Sequence, residues 1–99
     1  MTDRHWTFLT NHSHVLVCIA ENPDILVREV ADRVGITERA TQRIVAELEE
    51  AGYLSHTKVG RRNRYTVNSE MKLRHSLEDH LAIGALLGVI LDGSGHKTG

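Results

Sequence analysis

The sequence predicts a mainly α-helical domain of the α+β class: three short helices, a small β-hairpin, and a further helix at the C-terminal end. Three observations predict it. Apolar residues recur at helical spacing in three stretches between residues 11 and 51. Two strand-like segments flank Gly60-Arg61-Arg62-Asn63. The last stretch, from residue 77, ends in the apolar run LAIGALLGVIL. A chain of 99 residues holds one domain and leaves no room for a second, catalytic or ligand-binding one. That domain is expected over 1–91, with its core at 11–68, a terminal helix at 76–91 and a disordered Gly-rich tail at 92–99.

The first helix is expected over 11–21, with Asn11 as N-cap and Val15, Leu16, Cys18 and Ile19 as its apolar face. Asn22-Pro23-Asp24 stops it, because the residue before a proline disfavours helix. Val27, Val30, Ala31 and Val34 fall on one face of a second helix over 27–34. Its start is open: Asp24 serves as a cap, or Ile25-Leu26 forms a short uncapped strand. Gly35 marks a turn, and Thr37 is the N-cap of a third helix over 38–51, with Ala40, Thr41, Ile44 and Leu48 inward. Gly52 ends that helix. Strands over 53–59 and 64–67 then form a hairpin with an arginine-loaded tip. Ser76-Leu77-Glu78-Asp79 fits a capping box and starts the terminal helix at 77.

Hydrophobic residues make up 40% and charged residues 25%, the composition of an ordinary soluble protein. The single cysteine, Cys18, excludes an internal disulfide and lies in an apolar stretch, which favours a small buried hydrophobe over a redox thiol. MTDRHWTFL is not a signal peptide, and the longest apolar run, 11 residues, is well short of the ~20 that span a bilayer. A cytoplasmic location, away from the membrane, is therefore expected. No Gly-rich phosphate loop, nucleophile elbow or catalytic pair is present, so neither an enzyme nor a cofactor is expected. The net charge is −1, but it is unevenly spread. Residues 51–69 carry Lys58, Arg61, Arg62 and Arg64 with no acid, whereas residues 24–50 carry seven acids and four bases.

Residues 27–52 have the parts of a helix-turn-helix. Ala31 is small where two helices approach closely, and Gly35 suits the tight turn. Val30, Val34, Ile36 and Ile44 lock the helices together, with Thr41, β-branched and similar in size, where a valine or isoleucine is commoner. VREVADRVGITERATQRIVAELEEAGYL resembles the helix-turn-helix of MarR- and ArsR-like winged-helix regulators, and LSHTKVGRRNRYTV resembles their wing. Together with WTFLTNH and LRHSLE, these segments resemble a group of compact bacterial winged-helix regulators over residues 6–91. The resemblance implies a winged helix-turn-helix fold and a homodimeric transcriptional regulator of duplex DNA.

The outward face of the third helix agrees with that implication. Arg39 and Arg43 suit guanine and Gln42 suits adenine in the major groove, with Thr37 and Glu38 at the helix start and Thr41 beside them. Glu47, Glu49 and Glu50 would repel phosphates at the other end. Lys58, Arg61, Arg62, Asn63 and Arg64 of the wing suit the flanking backbone or the minor groove. The terminal helix is apolar on every side and needs more than one partner. Leu77, Leu81, Gly84, Ala85 and Gly88, joined by Trp6, Phe8 and Leu9, are the expected dimer interface. Two alternatives compete: a winged-helix protein adaptor, and a metal-responsive ArsR-like sensor drawing on His12, His14, His75, His80 and Asp79. No tight metal motif supports the latter, and no residue pattern points to an effector ligand.

Overall fold

Val15, Leu16, Cys18 and Ile19 bury one side of the first helix, and the remaining elements pack around it. In the computed structural model, which describes residues 6–92, the order is α1 (Asn11–Glu21), α2 (Val27–Val34), α3 (Glu38–Glu50), β1 (Leu54–Val59), β2 (Arg62–Val67) and α4 (Ile83–Asp92). Three helices followed by an antiparallel hairpin make a winged helix-turn-helix, and α4 lies against α1. The core runs from α1 through Ile25, Val30, Ile44, Val45 and Leu48 to Tyr53, Leu54 and Tyr65, and is closed by Ile83 and Leu87. Burying each large aliphatic side chain contributes about 1.5–3 kcal/mol. The expected disorder of the tail concerns residues 93–99, which lie outside the described residues; Asp92 belongs to α4.

Helix starts follow the caps, with two shifts. Thr10, not Asn11, is the N-cap of α1: its hydroxyl accepts from the Ser13 N–H. Asn11 is the first helical residue and bonds His14 through its side chain. For α2, neither alternative holds. Leu26 occupies the cap position, and the Glu29 carboxylate accepts from its N–H at 3.0 Å. The turn between the helices is as expected. Gly35 has φ 87°, and the N–H groups of Gly35 and Ile36 both reach the Ala31 carbonyl, at 2.8 and 3.1 Å. Only glycine adopts that backbone at no steric cost. Thr37 caps α3 by accepting from the Ala40 N–H at 3.0 Å.

The hairpin is tighter than its sequence suggests. β2 begins at Arg62, so the connection is only Gly60-Arg61, and Val59 faces Arg62. Gly60 has φ 66°, the positive value that a two-residue hairpin turn demands at its first position. Arg62, Asn63 and Arg64 are therefore strand residues, and Arg61 alone of the arginines stands at the tip.

The expected start of the terminal helix at 77 is wrong by six residues. The Leu73 N–H donates to Leu81 O, the Ile83 N–H to Met71 O, and Lys72 pairs with Ala82 in an antiparallel bridge. Those longer-range bonds close residues 74–80 into a loop, so Ser76 caps no helix. The Leu77 N–H instead donates to the His75 ring. α4 is apolar on every side but buries only one within the chain: Ile83 and Leu87 are buried, while Ala85, Gly88 and Val89 face outward. No described helix is long and apolar enough to cross a membrane.

Candidate nucleic-acid interface

The N-terminal half of α3 presents Glu38, Arg39, Gln42 and Arg43 to solvent as a contiguous outward face. It can do so because the opposite face is anchored. Thr41 is 0% exposed, and Ile44, Val45 and Leu48 are buried behind it. Thr41 was expected among the DNA contacts as well as on the inward stripe. Its placement corrects the former, since its hydroxyl donates inward to the Thr37 carbonyl at 2.9 Å. Ala40, expected inward, is only half-buried, and Val45 takes the buried position that the stripe omitted. Thr37 spends its hydroxyl on capping α3, yet remains exposed at the helix start.

At the other end of α3 two histidines meet two of the acids. His12 of α1 bonds Glu47 at 2.7 Å, and His56 of β1 bonds Glu49 at 2.5 Å. The hydrogen bond from His12, with the nearby charges of His12 and Arg43, holds the Glu47 carboxyl below its ordinary pKa. Glu47 and Glu49 thus have partners within the fold, while Glu50 is exposed. The helical pattern could not reveal these pairs, because His12 lies 35 residues from Glu47.

The wing is asymmetric in its use of charge. The Lys58 and Arg61 side chains are exposed and form no hydrogen bond or ion pair among the described residues. Arg64 instead donates to the Asp24 carboxylate, from Nε at 2.9 Å, and Arg62 donates to the Asp24 carbonyl at 2.6 Å. Hydrogen bonding from Arg64 lowers the Asp24 pKa, and the reciprocal bond raises that of Arg64. Asn63 is turned toward the inner face, where its amide donates to the Tyr65 hydroxyl at 3.4 Å and its Oδ1 is buried without a partner. That corrects its expected place at the tip. Asp24, which organises these arginines, was weighed in the sequence only as a helix cap; nothing local signals a partner 40 residues away.

The expected dimer residues also separate. Trp6 and Phe8 are 72% and 92% exposed and meet edge to face at 5.1 Å. Leu77 and Leu81 are exposed, and Leu9 is half-buried. Gly88 faces open space, but Gly84 does not. Its N–H donates to Ser69 O at 2.9 Å, and a Cβ built there would lie 2.7 Å from Ser69 Cβ. Gly84 is thus small for packing within the chain, against Ser69. Among the described residues no three His, Cys, Asp or Glu side chains come together as metal ligands. Cys18 is buried, and desolvation pushes its thiol pKa up.

Residues 9–55 match the winged helix-turn-helix DNA-binding family. Over 68 residues the chain is 29% identical to uncharacterized protein MJ1254 of Methanocaldococcus jannaschii. The match covers 68% of this chain and 14% of that protein, so the chain spans only a small part of the relative's length.

Proposed function

From a winged helix-turn-helix carrying an exposed recognition-helix face, we propose that the protein is a sequence-specific, duplex-DNA-binding transcriptional regulator of the cytoplasm, akin to MarR- and ArsR-like regulators. The observation that carries this is the outward set Arg39, Gln42 and Arg43 at the N-terminal half of α3, beside a wing tipped by Arg61. In the major groove these side chains pair bidentately with guanine and adenine edges, and the wing takes the flanking backbone or minor groove. Glu47 and Glu49 at the far end of α3 are held by hydrogen bonds to His12 and His56, which ties both carboxylates to partners within the fold.

The functional unit is a homodimer. Trp6, Phe8, Leu77, Leu81 and Val89 leave large apolar surface in water, and the outward face of α4 offers Ala85 and Gly88 for close helix approach. A two-fold dimer would set two recognition helices about 34 Å apart on a palindromic site.

The test is fluorescence anisotropy with a mixed-sequence duplex at low and moderate salt, comparing wild type with the double change Arg39→Ala, Arg43→Ala. Binding by wild type, weakened by salt and by the double change, is the expected result. A folded wild type that binds no duplex at low salt would overturn the proposal and favour a protein-adaptor role.

A further inference from the structure

The turn between α1 and α2 touches the wing through three β2 residues, Arg62, Arg64 and Tyr65. Arg64 reaches the Asp24 carboxylate, through Nε at 2.9 Å and a terminal nitrogen at 3.5 Å. Arg62 donates to the Asp24 carbonyl at 2.6 Å. The Tyr65 N–H donates to the Pro23 carbonyl at 3.0 Å. The turn is itself fixed: the Asn22 side chain accepts from the Asp24 N–H at 3.2 Å, and the Ile25 N–H donates to the Asn22 carbonyl at 3.0 Å. Tyr65 is buried, so the middle of β2 is held from beneath as well as along its edge.

We propose that Asp24 is a positioning residue of the wing: it occupies Arg64 with a protein carboxylate, so that the hairpin offers Arg61 rather than Arg64 to the DNA backbone. This rests on the DNA-binding function proposed above. A carboxylate and a phosphate compete for the same guanidinium fork. If Arg64 moved to a phosphate, the Asp24 carboxylate would be left unpaired at the base of the wing, facing the approaching polyanion. That repulsion offsets what the new contact contributes. The bonds from Arg62 and Tyr65 meanwhile keep the hairpin seated beside Asp24, within reach of Arg64. Arg61, at the turn, has no partner among the described residues to give up.

The number of phosphates neutralised is read from the slope of log K against log salt, about 0.9 per contact on duplex DNA. A purely structural role for Asp24 would move affinity but not this slope. Slopes are measured for wild type, Arg61→Ala, Arg64→Ala and Asp24→Asn with one duplex. Arg61→Ala should make the slope shallower by about 0.9, and Arg64→Ala should leave it unchanged. Asp24→Asn removes the competing charge and should steepen it by about 0.9 as Arg64 turns to the DNA. Two NMR observations should agree: the Arg64 Nε–H resonance of wild type stays put when duplex is added, and that of Asp24→Asn moves. The proposal is overturned if Arg64→Ala flattens the slope as Arg61→Ala does, or if Asp24→Asn leaves it unaltered. Should wild type bind no duplex at all, the DNA-binding function falls and this proposal with it. Binding with either of the two contrary slopes sinks the role of Asp24 alone.

Discussion

Replacing Gly84 with alanine adds one methyl group at a place with no room for it. The new Cβ would sit 2.7 Å from Ser69 Cβ and 2.8 Å from Ser69 O, whereas unstrained carbon contacts lie at about 3.5–4.0 Å. Relief requires α4 to move away from residue 69, which stretches the Gly84 N–H bond to that same carbonyl. Overpacking of this kind costs about 1–3 kcal/mol, and weakening the hydrogen bond adds about 0.5–1.5 kcal/mol. Alanine's better helix propensity returns about 0.5–1 kcal/mol. The net expectation is a loss of about 1–3 kcal/mol. Gly88, one turn further along α4 and open to solvent, supplies the control. There the same methyl group meets nothing, and Gly88→Ala should stabilise the folded chain by about 0.5–1 kcal/mol. Urea unfolding, repeated over a range of protein concentrations to separate folding from association, measures both. Equal effects of the two alanines on the concentration-independent part would refute the argument, because it would mean that residue 84 does not pack against residue 69.

Other outcomes follow from the same geometry. Thr41→Val removes a buried hydroxyl whose acceptor, Thr37 O, still receives the Thr41 N–H at 3.0 Å. It should cost no more than about 1 kcal/mol in urea unfolding and leave DNA affinity per folded molecule unchanged; a lost DNA contact would appear as reduced affinity. Asp24 and Glu47 both have lowered pKa values, from ordinary values of 3.8 and 4.5. Their contribution to stability is therefore present above those values and is lost as pH falls through the lower, folded ones. Melting temperature should decline on acidification below about pH 4.5, and less steeply in Asp24→Asn. The Cys18 thiol, buried with a raised pKa, should react with a thiol reagent only as fast as the fold opens, which a chase in increasing urea would reveal. Gly88→Leu should leave the monomer folded and shift sedimentation toward it, if α4 carries the dimer contact.

The helix-turn-helix was legible because its signals are local. Thr37, Gly35 and the apolar spacing of α3 each act within four residues of the structure they specify. The exposed face bearing Arg39, Gln42 and Arg43 followed from that spacing alone. The terminal helix was misplaced for the opposite reason. Ser76-Leu77-Glu78-Asp79 is a sound local pattern, but Met71 to Leu73 pair with Leu81 to Ile83 across the loop, and backbone bonds between those segments outweigh one side-chain cap. The wing shows the same division. Its turn was marked by Gly60, yet the employment of Arg64 depends on Asp24, and that of Glu47 on His12, each far away in sequence. Which charges are already taken within a fold cannot be read from a list of charged residues.

The late start of α4 bears on how strongly two copies would hold together. Ten residues make a helix about 15 Å long, and a start at residue 77 would have lengthened it by about 9 Å. In the proposed dimer, a helix of that length brings fewer turns to the contact than the longer one would have, where a standard stable complex buries roughly 800 Å² per partner. Were the proposed dimer weak for that reason, mass action would make the operator a third participant in assembly. At concentrations below the dimer's own dissociation constant, chains would be mostly single in solution and would pair on the two half-sites. Occupancy would rise with the square of protein concentration, so a modest change in expression would switch a promoter more sharply than a preformed dimer could.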